Sequence, residues 1–152
     1  MIAGVQVHVK PIFKDERGWV KRMLRLDDSH FVQFGEIYFS ACRDGAVKAW
    51  HRHKVMTLNY MAVKGDILVG LADLRPGSLT YGKTESIRLT EGVAHLVTIP
   101  PGIWNGYRAI PGMGEAIIAN CSTHSHLPDE IDRLSVEEFP IIFDWGAYEV
   151  AG

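Results

Sequence analysis

Isolated turn signals recur along the whole 152-residue chain and leave few places for a helix. Asp44-Gly45, Lys64-Gly65-Asp66, Arg75-Pro76-Gly77-Ser78, Glu91-Gly92, Pro100-Pro101-Gly102 and Pro111-Gly112 each favour a reversal, because glycine accepts positive φ and proline presets it. Between them lie short runs rich in Val, Ile, Leu and aromatic residues, which is strand chemistry. Val5, Val7 and Val9 alternate with polar residues, the period of a half-buried strand, before turn residues over 14–18. Further strands are expected over 19–26, 35–41, 47–53, 57–64, 66–74, 84–90, 94–99, 104–109 and 115–121.

About ten short strands at near-regular spacing predict an all-β fold, a double-stranded β-helix or jelly roll, as a single domain over 1–152. Short helical turns are expected only at 27–31 and 134–138, where Ser135 and Glu138 fit a capping box. Sixteen Lys and Arg against eighteen Asp and Glu leave a net charge of −2, so neither nucleic acid nor an anionic membrane is expected as a partner. No apolar run approaches the roughly 20 residues that span a bilayer, and the opening MIAGVQVHVK lacks the apolar centre of a secretory signal. A cytoplasmic location is expected, with Cys42 and Cys121 as reduced thiols.

The chemistry-bearing run is Trp50-His51-Arg52-His53-Lys54. On a strand, side chains repeat every two residues, so His51 and His53 should face one side together, toward a ligand or a metal, or else toward solvent with Trp50 and Arg52 inward. A jelly-roll metal site would add a carboxylate soon after the histidines and a third histidine downstream. Residues 54–58 contain no Asp or Glu, and the position after Trp104 is Asn105, so no metal is expected.

Several segments in order resemble the dTDP-4-dehydrorhamnose 3,5-epimerase family of the cupin fold: Asp15-Glu16-Arg17-Gly18, the stretch from Gly45 to His51, Lys64-Gly65, Ala72-Asp73-Leu74-Arg75 with Ser78-Leu79-Thr80-Tyr81-Gly82-Lys83, Ile99-Pro100-Pro101-Gly102 and Phe143-Asp144-Trp145. The resemblance implies a homodimeric jelly roll that binds a nucleotide-linked 4-keto sugar, a dTDP-hexose, without metal or organic cofactor. The reaction it implies is removal of the proton beside the ketone by an imidazole, followed by return of a proton to the opposite face. His51 matches the position of the family's base. Arg17 matches a diphosphate ligand, whose guanidinium can hold two oxygens, and Lys48 stands where a second substrate-binding Arg is usual. Without the resemblance, Arg17 reads equally as a surface arginine paired with Asp15 or Glu16.

Four departures from the family pattern bear on the chemistry. No tyrosine lies in the run 119–126, where the family supplies its acid; His124 or His126, or Tyr107 from the neighbouring strand, are the substitutes. Asn105 replaces a histidine and can hydrogen-bond the substrate but not titrate. Glu36 replaces a substrate-contacting Gln, and its charge would repel a diphosphate unless Lys48 or Arg17 intervenes. The chain stops seven residues after Trp145, where longer members supply a carboxylate that orients the base, leaving Asp73 or Glu36 as replacements. The expected function is therefore an NDP-4-keto-6-deoxyhexose epimerase acting at C3, C5 or both, with His51 as base and His53 or His124 assisting. A sugar 3,4-ketoisomerase, whose relatives share the His-x-His-Lys run, and an inert sugar-nucleotide-binding cupin are the alternatives. Of the aromatics Trp19, Trp50, Trp104 and Tyr107, most are expected in the core, with Trp104 at the barrel mouth as a substrate contact.

Overall fold

The computed structural model describes residues 1–146; residues 147–152, and with them the end of the expected domain, lie outside the described residues. In chain order the described strands are β1 (Gln6–Val9), β2 (Ile12–Asp15), β3 (Gly18–Lys21), β4 (Glu36–Cys42), β5 (Val47–His53), β6 (Leu58–Lys64), β7 (Asp66–Asp73), β8 (Thr84–Thr90), β9 (His95–Ile99), β10 (Ile103–Ala109), β11 (Ala116–Ser122) and β12 (Ile131–Arg133). Ten of them form two five-stranded sheets, ordered β1-β9-β6-β11-β4 and β12-β5-β10-β7-β8, while β2 and β3 make a separate hairpin. Every pairing is antiparallel, which gives the expected all-β jelly roll.

Alternation sorts the apolar residues into layers. Leu58, Tyr60 and Ala62 of β6 meet Ile67, Val69 and Leu71 of β7 in the core between the sheets. The intervening residues of β7 are buried too: Leu68 and Ala72 pack with Trp50, Trp104, Phe139 and Trp145, because the chain after β12 folds back over the outer face of the second sheet. Gly70 makes room for that strap, since a Cβ there would stand 2.7 Å from the Trp145 ring. On the outer face of the first sheet, Met61 and Leu96 are covered by Ile12, Met23 and Leu24.

The expected strand over 19–26 ends at Lys21, because Met23 and Leu24 pack as isolated side chains and their backbone finds no sheet neighbour. Residues 27–31 form turns rather than a helix, closed by Asp28 N–H to Arg25 O and Phe31 N–H to Asp28 O. The Ser135–Glu138 capping box is present, with Glu138 N–H donating to Ser135 Oγ at 3.1 Å. It caps a single turn that Pro140 prevents from continuing. A 3-10 turn over Pro128–Glu130 and strands β2 and β12 were not expected, being short and built largely from polar residues. Among the described residues no helix is long and apolar enough to cross a membrane.

Candidate active site

Alternation along β5 divides its side chains between two environments. Trp50 stacks on Phe139 at 4.3 Å on the covered outer face, and Arg52 lies over the Trp104 ring while pairing with Asp132. His51 and His53 point the other way and line a cleft of about 750 Å³ between the sheets. Their rings stand edge to face with centroids 5.5 Å apart. The cleft is of the size that small-molecule sites occupy.

A chain of hydrogen bonds fixes which nitrogen of His51 carries the proton. Asn105 donates through Nδ2 to the carbonyls of His51 and Ile103, which turns its Oδ1 toward Tyr60. The Tyr60 hydroxyl donates to that oxygen at 3.0 Å. Its one proton is thereby used, so at the 3.2 Å contact with His51 the hydroxyl accepts and Nε2–H donates. The lone pair of neutral His51 therefore sits on Nδ1. Burial, together with neighbouring His53 and Arg133, pushes the His51 pKa down to about 3, so the ring is neutral at physiological pH. Burial likewise pushes the Tyr60 phenol well up, keeping it protonated.

His53 has the opposite arrangement. Its Nδ1 bonds the Glu130 carboxylate, and Nε2 has no hydrogen bond among the described residues. The other carboxylate oxygen accepts from the backbone N–H groups of Lys54, Val55 and Met56 at 3.0, 3.1 and 3.3 Å. Burial alone would push the Glu130 carboxyl up, but the His53 bond and these N–H groups outweigh it and hold it below its ordinary range. The expected partner carboxylates are elsewhere. Asp73 is fully buried among Arg75, Ser78 and Thr80 and does not line the cleft, and Glu36 accepts from the His126 backbone N–H.

The facing wall comes from β4, where Glu36, Tyr38 and Ser40 alternate inward. Lys48 Nζ reaches across to Ser40 Oγ and Ala41 O, and Tyr107 donates to Ser40 Oγ at 2.6 Å. Burial pushes the Tyr107 phenol up to about 12. Arg133 of β12, opposite His51 in the register, and His126 complete the polar lining.

Of the residues singled out in the sequence, His51, His53, Glu36, Lys48 and Tyr107 meet in this cleft, with Asn105 buried just behind Tyr60. Trp104 does not: by alternation it faces outward when Asn105 faces inward, and it lies under Arg52 and beside Phe139. His124 is also outside, its ring bonded to Thr123 Oγ1, and His126 takes the place beside the cleft. Arg17 stands on the β2–β3 hairpin, exposed and paired with Asp15 at 2.6 Å, away from the cleft of its own chain. Sequence reasoning missed Tyr38, Tyr60, Glu130 and Arg133. Tyr38 was within reach, since it shares the strand face of Glu36; Glu130 lies 77 residues from His53 with no local signal joining them. Among the described residues no group of three or more His, Cys, Asp or Glu is arranged to hold a metal ion.

Known proteins share both sequence and architecture with this chain. A crystal structure described as a dTDP sugar isomerase from Desulfovibrio desulfuricans G20 superposes with a TM-score of 0.88 at 36% identity, covering 97% of this chain and 94% of that one. The spore coat polysaccharide biosynthesis protein SpsL of Bacillus subtilis strain 168 is 32% identical over 147 residues, 95% of this chain and 97% of SpsL. The probable low-salt glycan biosynthesis epimerase Agl13 of Haloferax volcanii is 30% identical over 151 residues, 96% of each chain. The family model described as dTDP-4-dehydrorhamnose 3,5-epimerase matches residues 1–151. The chain thus belongs to the dTDP-4-dehydrorhamnose 3,5-epimerase family, and is a sugar-nucleotide isomerase of the epimerase type on a cupin jelly roll.

Proposed function

We propose that the cleft binds a nucleoside-diphosphate-linked 4-keto-6-deoxyhexose, a dTDP-hexose by family, and moves the proton beside its ketone at C3, C5 or both. The observation that carries this reading is the pair of imidazoles on one wall, each with its tautomer set and one ring nitrogen without a hydrogen bond among the described residues. A base must be neutral before it can take a proton, and His51, at the family's base position, is neutral at any pH above about 3. His53, its ring oriented by the Glu130 carboxylate, is the assisting group. Lys48 and Arg133 supply cations for the diphosphate at the cleft edge, offsetting Glu36.

Arg17 serves the diphosphate on this reading only from a second copy of the chain. Its hairpin carries exposed Phe13, Trp19 and Val20, and edge strand β4 carries exposed Ile37 and Phe39, so a homodimer would cover apolar surface that one chain leaves bare. The reading includes a cytoplasmic location.

The test is solvent deuterium incorporation at C3 and C5 of a dTDP-4-keto-6-deoxyhexose. The native protein is expected to exchange, and His51→Asn to lose exchange by at least about 100-fold, the usual size of a general-base contribution. Unchanged exchange in His51→Asn overturns the reading. A 3,4-ketoisomerase is the second reading, favoured by two imidazoles side by side on one face, which suits passing a proton between adjacent carbons. Carbon NMR separates them: an epimerase leaves the product a 4-ketone, whereas the ketoisomerase yields a 3-ketone.

A further inference from the structure

Inverting a carbon requires a proton donor on the face opposite the base, and both imidazoles stand on one strand. Tyr38 and Tyr107 line the cleft and Tyr60 lies buried behind it against His51, and their hydrogen bonds separate the three. Tyr60 donates its proton to Asn105 Oδ1, and Tyr107 donates its own to Ser40 Oγ. Tyr38 differs. Asn59 N–H donates to Asn120 Oδ1 at 3.0 Å, which orients that amide so that Nδ2 donates to the Tyr38 oxygen, also at 3.0 Å. The Tyr38 oxygen is thus held as an acceptor, and its own proton has no acceptor among the described residues. Asn120 and Tyr38 are direct partners in the β11–β4 register, so the amide that orients the phenol is part of the sheet itself. Tyr38 belongs to the first sheet and the imidazoles to the second, and all three line the same cleft.

We infer that Tyr38 is the proton donor of this cleft, its phenolic O–H, aimed by Asn120, delivering a proton to the sugar carbon on the face away from His51 and His53. The inference rests on the proposed proton transfer beside a ketone. In the first half-reaction the C–H electron pair becomes the C=C bond of an enolate, the carbonyl π pair moves to oxygen, and the proton goes to imidazole. In the second, the oxygen pair re-forms the ketone, the C=C pair forms a new C–H bond with the Tyr38 proton, and a phenolate remains. Water returns a proton to the phenolate as the imidazolium releases its own, so the protein ends each turnover as it began.

The experiment compares native protein and Tyr38→Phe on a dTDP-4-keto-6-deoxyhexose in deuterium oxide, following both exchange and inverted product by proton NMR. Expected for Tyr38→Phe is exchange within about threefold of native, because removal and same-face return need only imidazole, with inversion lowered at least about 100-fold. Retained exchange also shows that the variant is folded. Inversion within about threefold of native would overturn the assignment. So would loss of exchange and inversion together in a Tyr38→Phe protein that still binds dTDP by calorimetry, since Tyr38 would then act in proton removal. Native protein silent in both readouts overturns the proposed function itself, a result distinct from either of these.

Discussion

His51 ties the stability of the molecule to pH. Its pKa is lowered in the folded chain, first by burial, so the unfolded chain binds a proton more readily. The sign follows: stability is complete above the unfolded value of about 6.5 and falls as pH drops from there toward the folded value, at up to about 1.4 kcal/mol per unit. Urea unfolding at about pH 7 and about pH 5 should show this slope in the native protein and a shallower one in His51→Asn. Equal slopes would mean that the ring is not buried neutral. His8 and His30, stacked at 3.7 Å and also lowered, chiefly by burial, leave a residual slope of the same sign. At this scale the sequence was half legible. The i, i+2 spacing put both histidines on one face, but the hydrogen-bond order that assigns their protons runs through Tyr60, Asn105 and Glu130, which only the fold assembles.

Elements cross the site as well as frame it. The turn and short strand that follow β11 bring Glu130 under the end of β5, where one carboxylate holds His53 and three successive backbone N–H groups. Removing it by Glu130→Ala leaves those donors and the imidazole without their acceptor in a buried place. The expected loss is about 3 kcal/mol in urea unfolding, with faster amide exchange at Lys54, Val55 and Met56. Glu130→Gln, which keeps an acceptor oxygen, should lose less. A loss within experimental error for Glu130→Ala would show that water replaces the carboxylate at no cost. Long alternating strands such as β5, β6 and β7 were readable from period and turn residues, whereas β12 was not, because three residues reading Ile-Asp-Arg carry no pattern. Trp104 illustrates the same limit from the other side, since strict alternation from Asn105 already excluded it from the cleft.

For the whole molecule, the exposed aromatic hairpin and the bare edge of β4 are among the apolar surfaces that a single chain leaves uncovered. Sedimentation at micromolar concentration is expected to give twice the mass of one chain. Phe39→Lys, which sets a charge in that patch, should shift the protein toward monomer, and a native monomer would remove the role given to Arg17 from a second copy. The architecture was the most legible level, because the spacing of glycine and proline turns limits the chain to short antiparallel strands wherever side-chain detail ends up. The strap carrying Phe139, Phe143 and Trp145 has one more consequence. Phe143 and Trp145 seat against Gly70 on the central part of β7 and Phe139 stacks on Trp50, so these three rings anchor the strap although most residues between them are exposed. A reporter or affinity handle inserted ahead of Trp145 would compete with those rings for their seat, whereas one joined behind Gly146 leaves them in place.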